Sequence, residues 1–402
     1  MTFLFTSILI VLTAAQLNAH GLPVPSSPAE KKINRLQQAI AKNPPNVQLY
    51  NQLAWAFCSR ARETSDPSFY DRAEEVLRKS LALDPADFEA QKIRVWALLG
   101  KHRFSQALEE AERLRKRAPD DVLVYGYLVD ANIELGNYEQ AEEAAQWMLD
   151  LRPGNVPGLT RAAYLRELFG DIEGAIQFME AAYQRTPGQE SEDLAWILTQ
   201  VAHLHLLAGR PGAAEAVLDQ ALEHFPGYHY ALAQLARLRT CQNRHADAVK
   251  LLRERYKTAP HPENLYDLAR SLVRAGCPRE ARALFRQFEK KALAESEKED
   301  NANRELIFYY ATRNPRKALR IAEREYQRRR DVYTLDAYAW ALYVNGRHAE
   351  ARRHSNTALA VGVRDPELLK RAAVIGGEKA AFSRTFRPEN QAHRQFDFQP
   401  AE

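Results

Sequence analysis

Cysteine is scarce. Only Cys58, Cys241 and Cys277 occur in 402 residues, an odd number that cannot pair completely within one chain. A disulfide framework is therefore excluded as the basis of the fold. Cys241 and Cys277 fall near the same turn of neighbouring segments. Packed helices lie about 10 Å apart, whereas a disulfide needs Cα atoms within about 7 Å, so both are read as small, half-buried residues. Also missing are a Gly-rich phosphate loop, a G-x-S-x-G elbow and an H-E-x-x-H helix. His203 and His205 stand two apart on a predicted helix, roughly 200° around its axis, and cannot hold one metal together. No carboxylate pair is set apart by spacing as an acid/base couple. The expectation is a chain that is not an enzyme and uses no cofactor and no metal.

Charge of one sign is lacking too. The formal net charge is +4 over the whole chain, which demands no nucleic acid. The balance is uneven, however: residues 301–402 carry 19 Lys and Arg against 12 Asp and Glu. The one long apolar run, Phe3 to Ala15, contains no charged residue. It is shorter than the roughly 20 residues of a membrane span. Residues 1–19 therefore read as a secretory signal cleaved after Ala19, with an uncleaved anchor as the other reading. Either one exports the body of the protein to the periplasm or beyond, and cleavage leaves no transmembrane span. Residues 20–29 read as a flexible linker and 388–402 as a mobile tail, since neither has a helical period.

Between them the chain repeats itself. The segment "YLVDANIELGNYEQA", residues 127–141, ends one predicted helix at Gly136 and starts another whose first inward residue is Ala141. That alanine recurs as Ala73, Ala107, Ala175, Ala214, Ala248, Ala281, Ala318 and Ala351, mostly 33 or 34 residues apart. Gly136, Gly170, Gly209, Gly276 and Gly346 lie five residues upstream of it, and Pro85, Pro119, Pro153, Pro187, Pro226 and Pro260 twelve downstream. Alanine lets two helices approach closely. Glycine supplies the left-handed exit from the first helix, and proline stops the second. A period near 34 with these marks predicts a stacked array of about nine helix pairs, because no single pair can bury its apolar face.

The spacing resembles the tetratricopeptide repeat family over nearly everything from Ile33 to Val363. Stretches such as "FPGYHYALAQLARL" are further similar to a group of full-length bacterial exported proteins of that family. The resemblance implies an all-α, right-handed superhelical solenoid, here assigned to residues 30–387 with a capping helix at each end. Two departures, "RETSDPS" near residues 62–68 and "GQESED" at 188–193, add residues and are expected in loops. "KKALAESEKEDN" reads as a lengthened polar helix, and the copy at 300–330 lacks its glycine and closing proline.

The resemblance also implies that first helices line a concave groove. With the alanine as position twenty, position nine holds Trp55, Trp96, Asp130, Tyr164, His203, Arg237, Arg270 and Trp340. Trp196 and Tyr230 occupy position two, and Tyr127, Arg161, Gln200 and Gln234 lie at position six. Aromatic and Arg side chains carry much of the energy of protein interfaces, so Trp55, Trp96, Tyr127, Arg161, Tyr164, Trp196, His203, Tyr230, Arg237, Arg270 and Trp340 are the candidate ligand-binding residues. The other reading packs these side chains against neighbouring helices or the next superhelical turn. The family's carboxylate clamp is absent, its places holding Asn51, Gln52 and Trp55, then Lys92, Ile93 and Trp96. The expected partner is a protein or peptide. A carbohydrate or cell-wall polymer is the alternative, since sugars stack on aromatic faces, and an accessory role positioning an envelope enzyme is a third. The Arg-rich stretch 313–330 adds the expectation of a weak contact with anionic surfaces, against the plainer reading of a solvated helix face.

Overall fold

The computed structural model describes residues 27–377, all helix and connection, with no strand among them. A first helix, α1 (Pro28–Lys42), stands alone. Nine pairs follow as repeats 1 to 9: α2 (Val47–Thr64) with α3 (Ser68–Leu83), α4 (Phe88–Gly100) with α5 (Phe104–Arg117), and α6 (Val122–Leu135) with α7 (Tyr138–Leu151). Next come α8 (Val156–Leu168) with α9 (Ile172–Arg185), α10 (Ser191–Leu207) with α11 (Pro211–His224), and α12 (His229–Cys241) with α13 (His245–Thr258). The last are α14 (Pro262–Arg274) with α15 (Pro278–Glu295), α16 (Asn303–Ala311) with α17 (Pro315–Arg328), and α18 (Val332–Val344) with α19 (His348–Ala360), closed by α20 (Pro366–Gly376). The expected signal, most of the linker and the expected tail lie outside the described residues. The final residues of the expected linker are helical: Pro28 occupies the first turn of α1, and the Ser27 hydroxyl accepts from the Glu30 amide, a start that proline and a serine cap both favour.

Local chemistry sets the boundaries. Many first helices open on a carboxylate or amide cap, as where Asp121 accepts from the Val124 amide at 3.0 Å and Asn155 from Gly158 at 2.7 Å. The repeat alanine is at most 1% exposed in all nine pairs, so the paired helices touch there. Three repeats without the turn glycine place Ser65, His102 and Asn243 in the same left-handed region. Second helices α3, α5, α7, α9, α11 and α13 each stop two residues before their proline.

The two insertions lengthen helices instead of forming loops. Arg62, Glu63 and Thr64 extend α2, and Ser191, Glu192 and Asp193 begin α10. These extensions meet. Arg62 reaches Glu192 at 3.0 Å and Asp193 at 3.1 Å, and its carbonyl accepts from His229 Nε2 at 2.9 Å. His229 is 1% exposed, and burial pulls its imidazole down to about 4, so it donates as the neutral ring.

Contacts from the turns of three further repeats continue this seam between successive superhelical turns. His102, in the turn of repeat 2, lies 3.6 Å from Asp300, in the connection before repeat 8. In the turn of repeat 3, the Glu134 carbonyl accepts from the Arg330 amide at 2.9 Å, and the Tyr138 hydroxyl accepts from the Val332 amide at 3.0 Å. In the turn of repeat 4, a Cβ on Gly170 would stand 2.6 Å from the Gly362 carbonyl oxygen. Behind these contacts Val332, Val363 and Leu368 join the same apolar core as Leu128, Leu159 and Met179.

Backbone contact at the seam predicts a difference between two glycines. Both Gly170 (φ +83°) and Gly209 (φ +73°) need left-handed backbone, but only Gly170 has a neighbour in the place of a Cβ. Gly209→Ala should cost about 1–2 kcal/mol for the backbone alone. Gly170→Ala should cost a further ~1–3 kcal/mol for the clash. Urea unfolding midpoints check this, and equal losses would mean that the seam contributes nothing there.

The seam also predicts a pH dependence. Burial, with Asp331 nearby, pushes the Glu134 carboxyl up to about 7, although Arg329 lies 3.6 Å away. A folded pKa above the unfolded 4.5 means that the native state holds the proton more tightly. Stability from this group is therefore full below pH 4.5 and is lost as pH rises towards 7. Glu134→Gln should leave stability unchanged near pH 4.5 and raise it by about 1–2 kcal/mol at pH 8. Thermal melts across that range test the sign.

Candidate functional site

The candidate residues all lie on first helices, the ones expected to line the inner surface. Whether they are free to meet a ligand depends on what already touches them. In repeats 1 and 2, Trp55 and Trp96 meet edge-on with ring centroids 4.6 Å apart. Lys92, 6% exposed, is held by Glu89 at 2.8 Å and Asp121 at 2.9 Å. Tyr127 is 4% exposed, and burial drives its phenol well above the usual range. Arg161 donates Nε to the Gly126 carbonyl at 2.9 Å and Nη2 to Asp130 at 2.5 Å. Its guanidinium occupies the space that a side chain at position 126 would fill.

Tyr164 faces a cavity of about 240 Å³ shared with Leu99, Phe104, Asp130 and Glu134. Trp196 lies 5.8 Å from the Arg62 guanidinium that bridges the seam. Tyr230 packs on His229 with centroids 3.9 Å apart. Near the end of the array Trp340 stacks on Tyr343 at 5.5 Å, and Arg371 forks onto Asp336. Burial pushes the Asp336 carboxyl up to about 6 against that guanidinium.

Repeats 5 to 7 are different. His203 Nε2 lies 3.0 Å from Glu167, and Arg237 donates to its Nδ1 at 3.4 Å. Arg237 can only donate and gains no carboxylate among the described residues. Arg270 lies over Tyr266 at 5.8 Å and only 3.8 Å from Glu367. Arg274 is exposed, and Gln200 and Gln234 are half-buried. The Gln234 Oε1 is shielded from solvent yet accepts no hydrogen bond among the described residues.

The inner surface thus divides. From repeat 1 to repeat 4 the candidate residues pack on or bond to other parts of the chain. The inner cations without a carboxylate partner among the described residues are Arg237 and Arg274, beside half-buried Gln200 and Gln234. Residues that the spacing did not single out, Arg62, Glu192 and Asp193, close the seam, and their only signal was that both insertions carry charge. The Arg-rich stretch 313–330 is largely engaged within the chain. Lys317 donates to Tyr310 at 2.7 Å, Arg324 pairs with Glu297 at 2.6 Å, Arg328 with Glu325 at 3.1 Å and Arg329 with Glu134 at 3.6 Å. Arg316 and Arg320 remain exposed. Cys241 and Cys277 are free, exposed thiols. No described helix is long and apolar enough to cross a membrane.

Comparison with known proteins agrees with this architecture. Two family models described as tetratricopeptide repeat match, one at residues 60–122, 94–156 and 128–190, the other at 167–235 and 205–261. Together they cover half of the chain. No curated protein matches it significantly. Among solved structures, Cut9 in the APC/C hetero-tetramer Cut9–Hcn1 is 11% identical with a TM-score of 0.51. That match covers 85% of this chain and 58% of Cut9, so this chain spans somewhat over half the length of that relative. The human IFIT1 dimer with m7Gppp-AAAA is 16% identical with a TM-score of 0.52, covering 83% of this chain and 86% of that one. These likenesses extend to the fold alone. With nine helix pairs, their alanine crossings and both family models in agreement, this chain belongs to the tetratricopeptide repeat family, whose members serve as protein-interaction scaffolds.

Proposed function

We propose that this chain is a non-enzymatic scaffold of the bacterial cell envelope, exported by residues 1–19, which holds an extended peptide segment of a partner protein against the concave face of repeats 5 to 7. One observation carries the reading: Arg237 and Arg274 have no carboxylate partner among the described residues, although both lie on first helices. An extended peptide supplies both carbonyl oxygens and amide protons, and an acidic side chain adds a charge-assisted bond to arginine.

A carbohydrate ligand is less well supported. Sugars need free aromatic faces, whereas Trp55, Trp96, Trp196, Tyr230 and Trp340 are each engaged with another ring or a guanidinium. A phosphate-rich ligand such as the m7Gppp-AAAA of the IFIT1 structure would meet inner cations that mostly have carboxylate partners, as at Lys92 and Arg161. No nucleic acid is proposed.

Capture from envelope extract on the immobilised chain, identified by mass spectrometry, tests the reading. Arg237→Ala with Arg274→Ala should abolish retention of the partner while the helical circular dichroism signal stays unchanged. Binding should also weaken as salt rises. Trp55→Ala should leave capture intact and lower stability by about 1–3 kcal/mol. A partner kept by the double variant and lost with Trp55→Ala would move the site to repeats 1 and 2.

A further inference from the structure

The outer surface carries two stripes of opposite charge with matching length. On α15, Arg279, Arg282, Arg286 and Lys290 are all exposed. Their spacing of three or four residues places them on one face. The neighbouring second helices continue the sign with exposed Arg316 and Arg320 on α17, and Arg352 and Arg353 on α19. None of these eight cations forms a salt bridge among the described residues, although, after Arg347, Arg353 helps hold the Glu350 carboxyl down. Most carboxylates on the same helices are already held, Glu280 by Arg253, Glu289 by Tyr309 and Tyr310, and Glu323 and Glu350 by Arg347.

On α7 the exposed stripe is Glu139, Glu143, Trp147 and Asp150. Asp150 accepts only from Gln146, and the other two carboxylates have no partner among the described residues. Neighbouring second helices add exposed Glu180 on α9, and Asp219 and Glu223 on α11. Trp147 tilts against Tyr125 at 5.8 Å and donates Nε1 to the Pro119 carbonyl at 3.4 Å, yet stays 46% exposed, one of three large apolar side chains so open among the described residues. An exposed tryptophan within an acidic stripe suits an interface in which a guanidinium packs on its ring.

Each stripe covers eleven residue steps, about 16 Å of helix. Each also belongs to a run of three successive second helices of like charge. We propose that the acidic face of repeats 3 to 5 docks on the basic face of repeats 7 to 9 of a second copy, with α7 against α15, in a head-to-tail contact. Such a contact is heterologous and leaves one face of each kind open at the ends, so it propagates. A bilayer would not use the acidic stripe. The outer faces that meet are convex, so few rows engage and the attraction rests on charge. The association is therefore sensitive to salt. It is independent of the concave site, and its test does not involve the peptide.

Sedimentation of the full chain is the measurement. The parent should show a mass that grows with concentration at low ionic strength and returns to the 45.8 kDa monomer at about 0.5 M salt. Two charge-reversed variants follow, one with Glu139→Lys, Glu143→Lys and Asp150→Lys, the other with Arg282→Glu, Arg286→Glu and Lys290→Glu. All six positions are exposed, and circular dichroism confirms that folding is kept. Each variant alone should associate about tenfold or more weakly than the parent. Mixing the two should restore association, a gain that no folding defect produces. A parent that stays monomeric at low salt, or a mixture that stays monomeric, overturns the proposal. So does a monomeric parent that binds vesicles of anionic phospholipid and loses them with the basic-face reversal.

Discussion

Arg62 reaching from the extended end of α2 to Glu192 and Asp193 on the extended start of α10 joins parts of the chain that the repeat alone would keep separate. In a solenoid each repeat normally touches only its neighbours, and stability is close to a sum of nearest-neighbour terms. Here repeats 2, 3 and 4 also meet the connections that precede repeat 8, repeat 9 and the terminal helix α20. That edge contact fixes the superhelical pitch. It couples the unfolding of early and late repeats, and it determines how much of the concave surface stays open.

The seam is polar, which bears on what it contributes. Arg62 is balanced by two carboxylates, Tyr228 donates to Glu192 at 2.5 Å, and neutral His229 donates to the Arg62 carbonyl. Burial still pushes the Glu192 carboxyl up against the pull of Arg62 and Tyr228. Buried ion pairs of this kind add little net stability over apolar packing, yet removing one partner is expensive. Their effect is to select one pitch among many: a turn slightly wider or tighter would leave charges buried without partners. The apolar contacts of Val332, Val363 and Leu368 contribute the attraction, and the polar contacts choose the geometry in which it is realised.

Much of the fold was legible because its marks act locally. Alanine at a helix crossing, glycine in a left-handed exit and proline after a second helix each do their work within one repeat. Nine copies made the pattern redundant enough to survive the losses at Ser65, His102 and Asn243. Pitch is different. It accumulates from small rotations between repeats, so nothing in one copy reveals that the turns will touch, and the two insertions looked like loops. The inner surface was legible as a set of residues but not as a set of pairs. A usable signal was present, though. Opposite charges recur about one repeat apart at inward positions, as in Lys92 with Asp121, Asp130 with Arg161 and Asp336 with Arg371. One repeat of separation is the spacing at which neighbouring first helices face each other, so such pairs neutralise themselves inside the groove. Arg237 and Arg274 have no such partner one repeat away.

The same rule separates the two surfaces. Inward residues lie close across the groove, where an unmatched charge is costly, and most carry an opposite charge one repeat away. Outward residues diverge with the curvature of the superhelix, stay in water and need no match. Residual charge therefore collects on second helices, acidic on α7, α9 and α11 and basic on α15, α17 and α19. Association at those faces responds to salt and to charge reversal, because water already solvates every group involved. The concave face responds to loss of single side chains, because a missing partner there leaves its neighbour shielded and unsatisfied. One chain thus presents two kinds of surface, and the closed pitch is what keeps them distinct.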